Sequence, residues 1–227
     1  MQESKLMSKE EKKELKKQEK LKKIEEKKFK KEVKKEEKLN KKNNIRTPWL
    51  KYYKEGVPAH LNYPKGTMVG FFLEAVARFP EDIAIEYYGR TYTYRTFYEM
   101  IRDTAKSLKQ QEVKEGDTIA ICMPNTPQAI LMFYAANMVG AIVSLIHPLS
   151  AEKEIQNYIN GSGATFLLTL DLVYDKVHNI VDNTCVKKIV VASAGDSLKT
   201  IKKFLFKFKN RGNVPKIELS DDIMTWN

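Results

Sequence analysis

GDTIAICMPNTPQAILMFYAANMVGAIVSLIHPLSAEKEIQNYINGSGATFLLT, residues 116–169, decides the fold. It opens on TIAICM (Thr118–Met123), an uncharged run of the kind that forms a strand buried on both faces. PNTP (Pro124–Pro127) breaks that run, and apolar residues then continue at helical length to Val139. Within this stretch Ala129–Ile146 (AILMFYAANMVGAIVSLI) carries no charge over eighteen residues, close to the roughly 20 that a membrane-spanning helix needs. Asn137 sits in its middle, Gly140 interrupts it, and β-branched residues cluster after the glycine. A buried helix to Val139 followed by a buried strand over Ala141–Ile146 accounts for all three features; a single spanning helix does not. Ser150 can cap a further helix that Gly161 and Gly163 stop, and TFLLT (Thr165–Thr169) is the next strand.

The alternation continues on both sides. Downstream come a helix over Leu172–Val181, the strand KIVVA (Lys188–Ala192), a basic amphipathic stretch from Gly195 to Arg211 and a strand over Pro215–Leu219. Ser220 reads as the cap of one more helix. Upstream, Thr67 caps a helix with Met68, Phe71, Phe72, Ala75, Val76 and Phe79 on one face, ended by Pro80. Ile83–Tyr88 reads as a strand, Gly89-Arg90 as a two-residue turn and Thr91–Thr93 as the returning strand. A helix with Phe97, Met100, Ile101, Ala105 and Leu108 on one face comes next. Repeated β-α units with continuous apolar strands predict an α/β fold: a mostly parallel sheet of at least five strands within Ile83–Leu219, flanked by helices.

Charge separates this body from the N-terminal stretch. Of 227 residues with a net charge of +11, residues 1–46 hold 19 Lys/Arg against 10 Asp/Glu, so the remainder carries only +2. Three segments are expected: a Lys/Glu-rich tail over 1–46, an aromatic, proline-broken lead-in over 47–66, and an α/β subdomain over 67–227. In the tail, opposite charges at helical spacing (Glu10–Lys13, Glu19–Lys23, Glu32–Lys35) favour a charged helical or disordered segment lying outside the core. A near-neutral body with no aromatic-basic motif argues against nucleic acid as a partner. Cys122 and Cys185 have no CxxC spacing, which excludes a disulfide scaffold and favours a reducing compartment. MQESKLMSKEEKKELKK has no apolar run of a secretory signal, so a cytoplasmic location is expected.

Most searches for chemistry end in structural explanations. GSGATF (Gly161–Phe166) imitates a dinucleotide loop, but it comes after a helix and before a strand, the wrong order. GDSLKT (Gly195–Thr200) lacks the glycine that a phosphate loop places before its lysine. His60, His147 and His178 share no metal spacing, and there is no GxSxG nucleophile elbow. No catalytic or metal-binding set emerges. Two segments stay open. IHPLS (Ile146–Ser150) leaves the carboxyl end of a buried strand, where open α/β sheets bind ligands, so His147 and Pro148 are candidate cleft-wall residues. KTIKKFLFKFKNR (Lys199–Arg211) holds six cations and no acid, with Leu198, Ile201, Leu205 and Phe208 at helical spacing. It is either a domain helix with a basic solvent face or a membrane-surface element carrying Lys199, Lys202, Lys203 and Lys207.

In order and spacing these segments resemble one known family. PEDIAIEYYGRTYTYRTFYEMI (Pro80–Ile101) is similar to the opening of AMP-forming acyl-CoA synthetases, the adenylate-forming ligases. Pro124-Asn125, Val139-Gly140-Ala141, His147-Pro148-Leu149 and Ser162-Gly163-Ala164 continue the likeness, and PWLKYYKEGVPAHLNYP resembles the lead-in of long-chain fatty acid–CoA ligases. The likeness runs from about Trp49 to Asn227. It implies the first subdomain of the adenylate-forming fold and an ATP-dependent activation of a fatty or similar acid to acyl-CoA through an acyl-adenylate. ATP, Mg²⁺ and CoA are the cofactors it implies for the full-length enzyme, none of them expected to bind well to this chain. The family's Ser/Thr/Gly-rich ATP loop ending Pro-Lys-Gly, its adenylate-binding segment, its ribose-binding Asp and its C-terminal lysine have no counterpart here. The chain is therefore expected to break off before the ATP loop and to be inactive alone. The alternative is a non-catalytic membrane- or partner-binding protein that retains this subdomain, peripheral to the membrane.

Overall fold

The computed structural model describes residues 20, 23–24, 27–31, 33–35, 38–42, 47–54, 56–59, 61, 63–198, 200–209 and 214–226. The chain divides into two units, 1–65 and 66–227. In the first, the described residues up to Lys42 are helical, and a short 3-10 turn spans Leu50–Tyr52. Leu50 is its buried residue, whereas Trp49, Tyr52 and Tyr63 are exposed.

The second unit begins with helix α1 (Met68–Arg78), whose first turn is closed by Gly70 N–H donating to Thr67 Oγ1 at 3.0 Å. Phe72 is its buried anchor; Met68 and Phe79, placed on the apolar face by periodicity, are about half exposed at the helix ends. Strands β1 (Ile83–Tyr87) and β2 (Arg90–Thr93) pair antiparallel, with Tyr87 opposite Arg90. The turn is therefore Tyr88-Gly89, one residue earlier than Gly89-Arg90. Both residues have positive φ, 50° and 82°, and that mirror-image turn matches the twist of the flanking strands. Helix α2 (Tyr94–Gln110), capped by Thr93, buries Phe97, Ile101, Ala105 and Leu108.

Five parallel strands complete the unit: β3 (Thr118–Cys122), β4 (Ile142–Ile146), β5 (Phe166–Leu170), β6 (Lys188–Ala192) and β7 (Ile223–Thr225), in the spatial order β4-β3-β5-β6-β7. The central strands β3 and β5 are buried at every position, which is why they read as unbroken apolar runs. Between the strands run α3 (Pro127–Val139), α4 (Glu152–Ser162), α5 (Tyr174–Val181) and α6 (Thr200–Lys209). From β3 the chain moves outward to β4; from β5 it moves the other way to β6 and β7. Right-handed crossovers then put α3 and α4 on opposite faces. Helices α2 and α3 pack together, as do α4 and α5. The uncharged run Ala129–Ile146 is thus a helix, a glycine and a strand: Gly140 caps α3 at φ 81°. Among the described residues no helix is long and apolar enough to cross a membrane.

Three local expectations change. Helix α4 is entered at Ala151, not Ser150: the Glu154 carboxylate turns back to accept from Ala151 N–H at 3.3 Å. Gly161 lies inside α4, and Gly163 alone stops it, at φ 65°. Ser220 begins no helix, and Pro215–Leu219 is not a strand. Instead Ser220 Oγ accepts from Asp222 N–H (3.2 Å) and Ile223 N–H (3.1 Å), turning the chain into β7 beside Ile189–Val191. The apolar triplet Ile223–Thr225 gains a sheet edge there that an isolated short helix would lack.

Candidate functional site

The register of the sheet brings three loops to one level. Cys122 lies opposite Ile146 on one side and Thr169 on the other, so β3, β4 and β5 end together. The loops that leave them enclose a cavity of about 630 Å³ lined by Met123–Asn125, Leu145–Leu149, Leu170, Leu172 and Val173. Strands β3 and β5 are neighbours whose chains depart in opposite directions. The cavity therefore occupies the switch point of the sheet, where open α/β folds bind ligands.

Both cleft-wall candidates are in this lining. Pro148 is buried and His147 exposed, with His147 Nδ1 accepting from Leu149 N–H at 3.3 Å. With Nδ1 accepting, Nε2 carries the imidazole hydrogen and can donate it to a ligand oxygen such as a carboxylate. Spacing points to His147 and Pro148 alone; the β3 and β5 contributions, Met123–Asn125 and Leu170–Val173, depend on register and have no local sequence mark. Most of the wall is apolar, and among the described residues His147 is its single ionisable side chain. It suits an uncharged or aliphatic group far better than a polyphosphate.

Below the floor, Thr169 Oγ1 donates to the Cys122 carbonyl at 3.4 Å, tying β3 to β5. Burial pushes the Cys122 thiol up to about 11, with the Lys176 ammonium opposing the shift. Lys176 Nζ itself donates to the Ser150 carbonyl at 3.2 Å, fixing the loop after His147. A buried thiol held neutral is no nucleophile at physiological pH. At pH 8, iodoacetamide is expected to modify exposed Cys185 and spare Cys122 until the protein unfolds, as peptide mass mapping will show. The fold binds the Cys122 proton more tightly than the unfolded chain does. Its contribution is complete below the ordinary value of 9.0 and is lost as pH rises toward about 11, by roughly 2–3 kcal/mol.

A second hollow, of about 490 Å³, lies between the C-terminal half of α2 and the β7 edge, and among the described residues no cation lines it. Among the described residues no group of three His, Cys, Asp or Glu side chains is placed to hold a metal. The two glycine-containing imitators are structural. Gly163 is a helix stop, and Gly195 is buried where a Cβ would stand 3.1 Å from the Phe206 ring. The lysines of the basic stretch divide. Lys202 Nζ donates to the Tyr88 carbonyl at 2.8 Å, and Lys203 pairs with Asp196 at 3.3 Å. The side chains of Lys199 and Lys207, like His60, lie outside the described residues.

A profile of the family described as "AMP-binding enzyme" matches residues 72–225. The chain belongs to this family. Curated acyl-CoA ligases are among the proteins it resembles, and it matches only part of each. It is 28% identical over 167 residues to a long-chain-fatty-acid–CoA ligase of Bacillus subtilis, matching 74% of this chain and 30% of that protein. Against a long-chain-fatty-acid–CoA ligase of Escherichia coli O6:H1 it is 31% identical over 185 residues, covering 79% and 33%. A crystal structure of a long-chain-fatty-acid-CoA ligase from Archaeoglobus fulgidus shares the fold, with a TM-score of 0.57 and 23% identity over 64% of this chain and 32% of that one. The chain thus spans about a third of the length of the relatives it matches.

Proposed function

We propose that residues 67–227 form the first subdomain of an ATP-dependent ligase that joins a fatty acid to CoA through an acyl-adenylate, and that the switch-point cavity is one wall of its acid and thiol cleft. The observation that carries this reading is the cavity: apolar on most sides, opened by loops from three strand ends, with His147 at its rim. The B. subtilis and E. coli relatives act on long-chain fatty acids by their names, and an aliphatic wall agrees with such a substrate. In this reading Pro148, buried, sets the course of the loop, and His147 Nε2 offers a polar contact at the mouth.

ATP and Mg²⁺ do not fit the residues present. Holding a triphosphate takes a run of free backbone N–H groups and a lysine aimed at the anion. Among the described residues no such set is formed: GSGATF closes a helix, and Gly195, which opens GDSLKT, packs on Phe206. The chemistry that ATP would supply, a phosphoanhydride for the carboxylate to attack, would therefore be organised by residues other than these. This chain's share is binding and shaping the cleft, together with a peripheral association with membranes, where fatty acids partition.

The 227-residue chain alone is expected to form no acyl-adenylate. The check is exchange of radiolabelled pyrophosphate into ATP with Mg²⁺ and a panel of fatty acids. Background exchange from the chain, with exchange restored when the remaining two thirds of the B. subtilis ligase is fused after Asn227, supports the reading. Exchange by the chain alone would overturn it.

A further inference from the structure

Helix α6 turns large apolar side chains outward. Phe204, Leu205 and Phe208, which share one side of the helix, are 70%, 60% and 74% exposed. The opposite side is the one held down. Phe206 stands over Gly195, Lys202 donates to the Tyr88 carbonyl at 2.8 Å and Lys203 pairs with Asp196 at 3.3 Å. Two lysines thus act as anchors, and three large apolar side chains are presented outward. Tyr88, at the tip of the β1–β2 hairpin, is the residue whose carbonyl Lys202 holds, and it is 67% exposed.

We propose that α6 docks the protein on an anionic lipid surface, laying Phe204, Leu205 and Phe208 into the boundary between headgroups and acyl chains. The inference rests on the proposed peripheral association and names the face responsible. Ten residues of helix rise only about 15 Å, too short to span a bilayer and suited to lying in its plane. Phe and Leu on one face with cations around them is the composition such helices use. Charge selects the occupant. Besides the two anchors, residues 199–211 carry Lys199, Lys207, Lys209 and Arg211 and no acid, and residues 1–46 add a net +9. A second copy docking by the same face would bring like charges together, whereas anionic headgroups are complementary to them. The tail needs no fixed geometry for this, because attraction to a charged surface acts over about a Debye length.

The experiment is co-flotation of the full chain with vesicles of phosphatidylcholine, alone or mixed with phosphatidylglycerol. Wild type is expected to float with the anionic vesicles and to remain below with the neutral ones. The double variant Phe204→Ser/Phe208→Ser should lose at least about tenfold in vesicle affinity. Both rings are exposed, so its thermal melt should match wild type. Leu219→Ser, an equally exposed apolar site elsewhere, should bind as wild type does. If the double variant floats as well as wild type, the α6 face is overturned while peripheral association stands. If wild type does not float on anionic vesicles, both fail. If wild type is instead a dimer that the double variant dissociates, the face belongs to a second copy and the lipid assignment is overturned.

Discussion

Phe97→Ala is expected to destabilise the α/β unit by about 3–5 kcal/mol, a large share of the roughly 5–15 kcal/mol that holds a domain of this size together. Phe97 is 1% exposed on α2, and its ring meets Tyr92 of β2 edge-on at 6.1 Å and Phe72 of α1 at 6.3 Å. Phe72 in turn stacks obliquely on Tyr134 of α3 at 4.9 Å. One ring therefore joins the hairpin to helices α1 and α2 and, through Phe72, to the helix that covers the sheet. Removing it deletes apolar contact and leaves a cavity among aromatic side chains too rigid to collapse into it. A urea titration should show the midpoint falling with little change in slope, and Phe97→Leu should recover much of the difference. A cost for Phe97→Ala below about 1 kcal/mol would mean that the hairpin and the helices are not packed through this residue.

The fold is legible where burial acts on both faces of an element. β3 and β5 are central, so every position is buried and no register is needed to recognise them. Lys188–Ala192 is read to its observed limits for the same reason. Legibility fails at edges, where the chain's neighbour decides. Ser220 satisfies two backbone N–H groups, as a helix cap would; only the free edge of β6 makes Ile223–Thr225 a strand. The hairpin turn falls one residue earlier than expected because Tyr88, not a glycine, takes the first positive φ. Periodicity shows that α6 has an apolar face but cannot say that the face points outward, since Gly195 and Asp196 come from the preceding loop.

The candidate site is legible only in part, for a related reason. A histidine after a buried strand can be found by topology, and His147 and Pro148 are in the cavity lining. The residues that complete the wall come from β3 and β5 and are brought level by the Cys122 register with Ile146 and Thr169. No spacing along the chain encodes that meeting. The signal that points to it is the order of strands, because a sheet whose chain reverses direction between adjacent strands opens a crevice there.

Gly140→Val should cost about 2–5 kcal/mol, and Gly140→Ala about half of that. The residue ends α3 in the left-handed region, at φ 81°, where a β-branched side chain is strongly disfavoured. Space adds to the strain. A Cβ here would stand 2.9 Å from Glu115 Cγ and 3.2 Å from Glu115 Cβ, so the neighbouring turn must move. It cannot move freely, because Gly116 N–H donates to the Gly140 carbonyl at 3.0 Å while Ala141 N–H closes α3 on the Ala136 carbonyl at 2.9 Å. The substitution therefore strains the junction at which an uncharged eighteen-residue run is divided into helix and strand. Chemical unfolding of both variants should rank wild type above Ala above Val. A Val variant as stable as wild type would mean that Gly140 does not hold this conformation, and with it the reading of Ala129–Ile146 as two elements would fall.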